Sequence, residues 1–427
     1  MANKMINLIV ADMGYGHQRA AYPLFALSDG EALNVNNYRG IPSWEKKHWE
    51  DNLEAYERIS RFKKVPLLGK AVFSTMDYFQ RIKPRYPFRN LSRQTIQQRY
   101  FFKLIKKGLG KDLISKLNKD GKPMITTFFV AAYMAEYHNY NGDIYCVVCD
   151  ADISRAWAPI DPPTSRIKYF APNKQVQKRL MMYGVKSENI IITGFPLPQE
   201  NVGAKQEILK SDLARRLTSL DASGEYRKRE GALLKRFVPD CLNKESNKPI
   251  SITFAVGGAG AQKEIGAIIL EKLAPGIRNG HFSLNLVAGV RSEVADYFKS
   301  EVEKTGLTNH PAVKILFHKD KTGYFRLFNK ALRTTDILWT KPSELSFYSG
   351  LGLPIIMSTP VGSQEDFNRE WLIATGAGID SFNPEYVNEW LPDMLDSGRL
   401  ARAAMDGFLN AESLGAYNIE NFLKTKI

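Results

Sequence analysis

Three loops in this chain hold residue types suited to chemistry, and each follows a short apolar run. The first is Ala11-Asp-Met-Gly14-Tyr-Gly16-His17-Gln-Arg-Ala-Ala21. Gly14 and Gly16 permit a tight turn. The helix expected next would present free N–H groups and the positive end of its dipole. His17 stands at the start of that helix. Imidazole titrates near neutrality, so His17 suits a general base that takes a proton from an acceptor hydroxyl. A plain turn with a capping or core-satisfied histidine accounts for the same spacing.

The second loop is Val256-Gly257-Gly258-Ala259-Gly260-Ala261-Gln262. Three glycines let backbone N–H groups close on an anion such as a diphosphate. The pattern is neither GxxxxGK[ST] nor GxGxxG, so neither a P-loop ATPase nor a dinucleotide fold is indicated. The third is polar: Thr340-Lys341-Pro342-Ser343-Glu344, running on to Ser349. Beyond the next apolar run, Gln364, Glu365 and Asn368 lie at spacings that share one helix face.

Other constellations carry less. Asp150-Ala-Asp152 follows a strand-like run and has the form of a metal-gripping pair. The six histidines show no HxH or HxxxH spacing, and no metal site is expected. Cys146 and Cys149 form a CxxC inside a strand, where i and i+3 point to opposite faces, so they read as core residues. Three cysteines in all point to a reducing, cytoplasmic setting. No signal peptide and no spanning segment are expected.

The elements that must hold these loops alternate in type, as in parallel sheets wrapped by helices. Strands are expected at 6–11, 124–130, 144–148, 168–171 and 189–193, and again at 250–256, 283–287, 313–317, 336–340 and 354–358. Helices are expected at 174–183, 262–273, 292–305, 323–332 and 343–350. The chain thus reads as two doubly wound α/β domains: 1–198 and 249–384, with a polar linker or insertion at 199–248 and helices over 385–427. In open sheets of this kind ligands bind beyond the carboxyl ends of the strands, where the three loops fall.

The chain has 427 residues and a formal charge of +14. Residues 61–119 hold 16 Lys and Arg against two acids, and the remainder balances. Phe102, Ile105, Leu109, Leu113 and Leu117 recur there at helical spacing. Such a segment suits an anionic membrane surface; a solvated helix with its apolar stripe packed on the sheet is the other reading. Nucleic acid is not expected, since no binding motif accompanies the charge.

Taken together, these motifs resemble the monogalactosyldiacylglycerol synthases and diacylglycerol glucosyltransferases. They are more distantly similar to the peptidoglycan transferase that adds N-acetylglucosamine to a lipid-linked precursor. The resemblance rests on Asp12–Ala20, on Val147–Asp150 with Trp157 and Lys168–Pro172, on Ile191–Pro196, and on Thr340–Ser343 through Gly376. It implies a GT-B architecture, with two Rossmann-like domains facing a cleft. It implies inverting transfer from a nucleotide sugar, usually UDP-linked, to a lipid or lipid-linked hydroxyl, with no obligatory cofactor or metal. On that basis His17 is the base, with Gly14, Gly16, Asp150 and Arg155 on the acceptor side. Gly257, Gly258 and Gly260 hold the pyrophosphate, and Phe317 lies near the base. Arg291, Thr340, Lys341, Ser343, Glu344, Gln364, Glu365 and Asn368 complete the donor side. The chain departs from the family at three places: Ser349 stands where a ribose-gripping Glu is usual, Ser343 and Glu344 where two small residues usually follow the Lys-Pro pair, and Arg155 where a His is usual. The alternatives are a soluble nucleotide-sugar epimerase of the same architecture and a non-catalytic nucleotide-sugar binder.

Overall fold

A computed structural model describes residues 5–62, 82–242, 246, 248–257, 260, 262–360 and 363–426. The chain forms two compact units. The first comprises Met1–Pro196 with Gly362–Phe367 and Leu414–Ile427; the second comprises Leu197–Val361 and Asn368–Ser413.

The first unit holds a six-stranded parallel sheet: β1 (Asn7–Val10), β2 (Leu33–Asn34), β3 (Met124–Thr126), β4 (Ile144–Val147), β5 (Lys168–Ala171) and β6 (Ile190–Ile192). The strand order is β2-β1-β3-β4-β5-β6. β1, β3 and β4 are apolar and buried along their whole length, as parallel strands covered on both faces must be. Their register is fixed pairwise, with Leu8 opposite Ile125 and Ile125 opposite Tyr145. Helices α1 (Tyr15–Ala21), α2 (Ser43–Phe62), α3 (Ile96–Lys106), α4 (Lys111–Leu117), α5 (Phe129–Tyr137) and α6 (Lys174–Met182) belong to this unit.

Two expectations change here. The strand expected over 124–130 stops at Thr126, because Thr126 Oγ1 turns back to the Phe128 N–H at 3.0 Å and α5 begins at Phe129. The apolar stripe of the basic segment is core: Phe102, Ile105, Leu109, Leu113 and Leu117 are all buried. It therefore offers no greasy face to a membrane. Residues 63–81 of that segment lie outside the described residues.

The second unit repeats the plan with β7 (Ile250–Ala255), β8 (Phe282–Gly289), β9 (Val313–Phe317), β10 (Ile337–Thr340), β11 (Ile355–Met357) and β12 (Gly378–Asp380). Their order is β12-β11-β10-β7-β8-β9, all parallel. The stretch 199–248 is helical over much of its length, with α7 (Gln199–Val202), α8 (Glu207–Leu220), α9 (Glu225–Arg229) and α10 (Gly231–Phe237). It is an integral part of the second unit. On α8, Leu209, Leu213 and Leu217 are buried. The buried Arg216 guanidinium on α8 donates to the carbonyls of Thr335, Leu351 and Gly352 at 2.9 Å each. The remaining helices are α11 (Lys263–Arg278), α12 (Ser292–Lys304), α13 (Lys321–Leu332), α14 (Ser363–Thr375), α15 (Val387–Asp396), α16 (Arg399–Asn410) and α17 (Gly415–Lys424).

The last helix returns to the first unit. Ala416, Ile419 and Leu423 of α17 pack into one cluster with Ile6, Leu8 and Val10 of the first strand run, Ile125, Val147 and Phe170. Burying an aliphatic side chain of this size stabilises by about 1.5–3 kcal/mol. Among the described residues no helix is long and apolar enough to cross a membrane.

Candidate functional site

In each sheet the chain leaves its first strand, β1 or β7, toward one edge and later returns to that strand's other side. Such a switch point opens a crevice at the carboxyl ends of the two strands that flank it. In the first sheet those strands are β1 and β3, and in the second they are β7 and β10. The sequence places a glycine loop after β1 and another after β7, so both fall at switch points.

At the first, Gly14 caps α1 with φ +110° and ψ 177°. An added Cβ there would meet nothing within 4 Å, so conformation rather than crowding requires the glycine. The turn is held by Asn36, which follows β2: its side-chain oxygen accepts from the Asp12 N–H at 2.8 Å. Gly16 is the second residue of α1, and His17 follows it, half-buried. His17 Nδ1 lies 2.5 Å from the Thr127 carbonyl, in the loop after β3. A carbonyl only accepts, so Nδ1 is the donor of this contact and carries a proton. The ring also meets Phe128 edge-on at 5.2 Å and Trp157 at 6.2 Å. Trp157 comes from the segment after β4 that also holds Asp150, which is half-buried in a bend.

Asp152 of the DxD is engaged with cations. It is fully buried, and both its oxygens accept from Arg179 at 2.8 Å, with Arg85 at 3.6 Å. A carboxylate clamped this way is committed to its guanidinium. Arg155, in the same 3-10 turn as Trp157, sets its guanidinium on the carbonyls of Ser92 and Ala158. Cys146 and Cys149 are buried free thiols, and burial pushes the Cys146 thiol up.

At the second switch point the loops after β7 and β10 touch. A Cβ added at Gly257 would lie 2.5 Å from Lys341 Cε, so the Lys341 stem runs directly over this glycine. Gly260 adopts φ +70°, and a Cβ there would meet Val294 at 3.0 Å and Arg291 Cδ at 3.4 Å. The Gly260 N–H donates to the Gly257 carbonyl at 2.7 Å, closing the turn before α11. Gly257, Gly260, Arg291 and Lys341 thus gather at one loop. Gly258 lies outside the described residues. Thr340 is buried and donates to the Ala255 carbonyl at 3.1 Å, which ties β10 to β7 beneath the loop. Ser343 and Glu344 start the 3-10 turn Glu344–Leu351, both half-buried. Phe317 ends β9 opposite Gly289.

Two donor-side residues are placed differently from the expectation. Ser349 is 0% exposed, and among the described residues its hydroxyl has no hydrogen-bond partner; the 3-10 turn is buried from Leu345 to Leu351. Asn368 is likewise buried on α14, while Gln364 and Glu365 are half-buried on its first turn.

Thr127 and Phe128 were not singled out from the sequence. The segment reads as continuous strand, and only the sheet order shows that it ends beside His17.

Comparison with known proteins bears on the fold. Residues 232–312 match the model of a family described as a domain of unknown function (DUF6938). The chain is 22% identical over 301 residues to the processive diacylglycerol beta-glucosyltransferase of Bacillus subtilis, strain 168, covering 69% of this chain and 65% of that relative. The match thus spans less than two thirds of the relative's length. Among solved structures, MurG of Acinetobacter baumannii aligns over 99% of this chain and all of its own, with TM-score 0.51 and 11% identity. MnaA of S. aureus in complex with UDP aligns over 99% and 97%, with TM-score 0.50 and 14% identity. The resemblance read from the motifs therefore holds at the level of fold: two Rossmann-like parallel-sheet units of the GT-B class.

Proposed function

We propose that this chain is an inverting glycosyltransferase that moves a sugar from a UDP-sugar to a lipid or lipid-linked hydroxyl. The observation that carries the reading is the hydrogen bond between His17 Nδ1 and Thr127 at the first switch point. It leaves Nε2 as the basic nitrogen of a ring braced by Phe128 and Trp157. In the proposed reaction Nε2 takes the proton of the acceptor hydroxyl. The oxygen attacks the anomeric carbon, the bond from that carbon to the diphosphate breaks, and UDP leaves with the electron pair. Inversion follows from a single displacement.

The second unit supplies the donor side. Lys341, Arg291 and the N–H groups around Gly257 and Gly260 are suited to the charge that builds on a departing diphosphate. The Bacillus subtilis relative is named for diacylglycerol as acceptor, and the S. aureus neighbour holds UDP; both support the same reading. So does the basic segment 61–119 as a contact for an anionic membrane. Several of its described cations, among them Arg93, Arg99, Lys103 and Lys106, are exposed, beside exposed Tyr86 and Phe88. With the apolar stripe buried, that contact is electrostatic.

Titration calorimetry with UDP tests the donor side. UDP binds the native chain, and Lys341→Ala weakens it about tenfold or more, the scale of one lost charge-assisted contact. No heat and no thermal shift at millimolar UDP would remove the donor site.

A further inference from the structure

We propose that the first unit carries a phosphate-binding pocket built around Arg155, taking either a free phosphate ester or the phosphate head of a lipid. A cavity of about 590 Å³ opens at the start of α3. Lys83, Arg93, Arg99 and Arg155 line it together with apolar Leu91 and Ile96, and no acid does. A neighbouring recess of about 460 Å³ shares Arg93 and Arg99. Its one acid, Asp161, is exposed and accepts from the Thr164 hydroxyl at 2.8 Å.

Arg155 is the strongest indication. It is 6% exposed, and its Nε and Nη2 donate to the Ser92 carbonyl at 3.0 and 2.8 Å, its Nη1 to the Ala158 carbonyl at 2.8 Å. Carbonyls orient a guanidinium without neutralising it. Among the described residues no carboxylate pairs with Arg155, and burial pulls its pKa down. Buried charge of this kind is costly until a counter-charge arrives. The adjacent carboxylate, Asp152, is already shared by Arg179 and Arg85, and Arg179 Nη1 donates to the Lys83 carbonyl at 2.8 Å. Asp152 is thus committed to Arg179 and Arg85, and no acid lines the cavity that Lys83, Arg93, Arg99 and Arg155 share. Among the described residues the side chains of Lys83, Arg93 and Arg99 form no ion pair.

The helix geometry adds to this field. The Thr95 hydroxyl caps α3 by accepting from the Gln98 N–H, and Thr95 and Ile96 line the cavity. The first-turn N–H groups of an eleven-residue helix have no acceptor within the helix. Planar guanidinium groups with such a helix start match the oxygens of a phosphate better than those of a neutral sugar. Leu91 and Ile96 leave an apolar wall for whatever the phosphate is attached to. The proposal does not depend on sugar transfer and stands if the proposed function fails.

The test measures binding of inorganic phosphate, glycerol 3-phosphate and vesicles of phosphatidic acid in phosphatidylcholine to the full chain. The variant is Arg93→Ala with Arg99→Ala, two exposed positions that leave the core intact. The control is Lys228→Ala with Lys235→Ala, which removes equal charge from exposed positions of the second unit. The pocket variant is expected to lose about tenfold or more in affinity while the control keeps it. Loss with both soluble esters and vesicles supports the shared phosphate chemistry. Loss with vesicles alone is what the surface contact of segment 61–119 gives without a pocket and overturns the proposal, whereas loss with the esters alone assigns the pocket to a free ester. Absence of binding to all probes, or equal loss in both variants, overturns the proposal.

Discussion

A single histidine can be judged by what its two ring nitrogens are given to do. His17 Nδ1 is committed to the Thr127 carbonyl, so in the proposed reaction the proton exchange with substrate falls to Nε2. His17→Ala is expected to lower turnover by about 10²–10⁴-fold while UDP affinity stays within about twofold, measured by steady-state rates and calorimetry on one preparation. Unchanged turnover removes His17 from the chemistry. His17, Gly257 and Lys341 were legible in the sequence as candidates, because glycines and polar groups stand directly after apolar runs, where open sheets place their ligand loops. Thr127 was not, because a residue that offers only its backbone carbonyl leaves no mark of side-chain type. Ser349 was misplaced for a related reason: a small hydroxyl fits a ligand site and a packed turn equally well, and the 3-10 turn buries it.

At the scale of elements, alternation of apolar runs located most strands to within one or two residues. Lys168–Ala171 and Val313–Phe317 fall where hydropathy places them. Short edge strands such as Leu33–Asn34 are too brief to leave a period, and α5 was absorbed into the apolar run before it. The docking of α17 is a long-range event that no local pattern encodes. Ile419→Ala is expected to cost about 2–5 kcal/mol in denaturant unfolding, since the side chain is 0% exposed among β-strand residues. A loss below about 0.5 kcal/mol would contradict that packing.

α2 offers a pH-dependent counterpart. Burial lifts the Glu45 carboxyl from 4.5 to about 6, partly offset by the Gly110 N–H that donates to it at 3.2 Å. The folded chain then holds this proton more tightly than the unfolded one. The extra stability is full below about pH 4.5 and is lost as pH rises through about 6. Glu45→Gln, whose amide oxygen still accepts from Gly110, is expected to be more stable than the native chain by about 1–2 kcal/mol at pH 7.5. At pH 4.5 the two should be nearly equal, read as melting temperatures across the range. An equal difference at both pH values would contradict the raised carboxyl.

The whole molecule uses one plan twice: a parallel sheet whose switch point receives a glycine loop. The first switch point joins that loop to a histidine, and the second joins it to Lys341 and Arg291. The charge of +14 belongs to 61–119, and the structure divides the described part of that segment into a buried apolar stripe and an exposed cationic face. Acceptor and sugar identity leave no comparable trace, because they depend on the shape of a bound complex rather than on residue order. Transfer itself is the central claim. The chain should be incubated with labelled UDP-glucose, UDP-galactose or UDP-N-acetylglucosamine and with anionic vesicles of mixed lipid containing diacylglycerol, and the label counted after organic extraction. The account predicts that label from at least one donor enters the lipid phase, and that His17→Ala abolishes the transfer. Label that stays in the aqueous phase, intact or rearranged as a nucleotide sugar while UDP still binds, would contradict it.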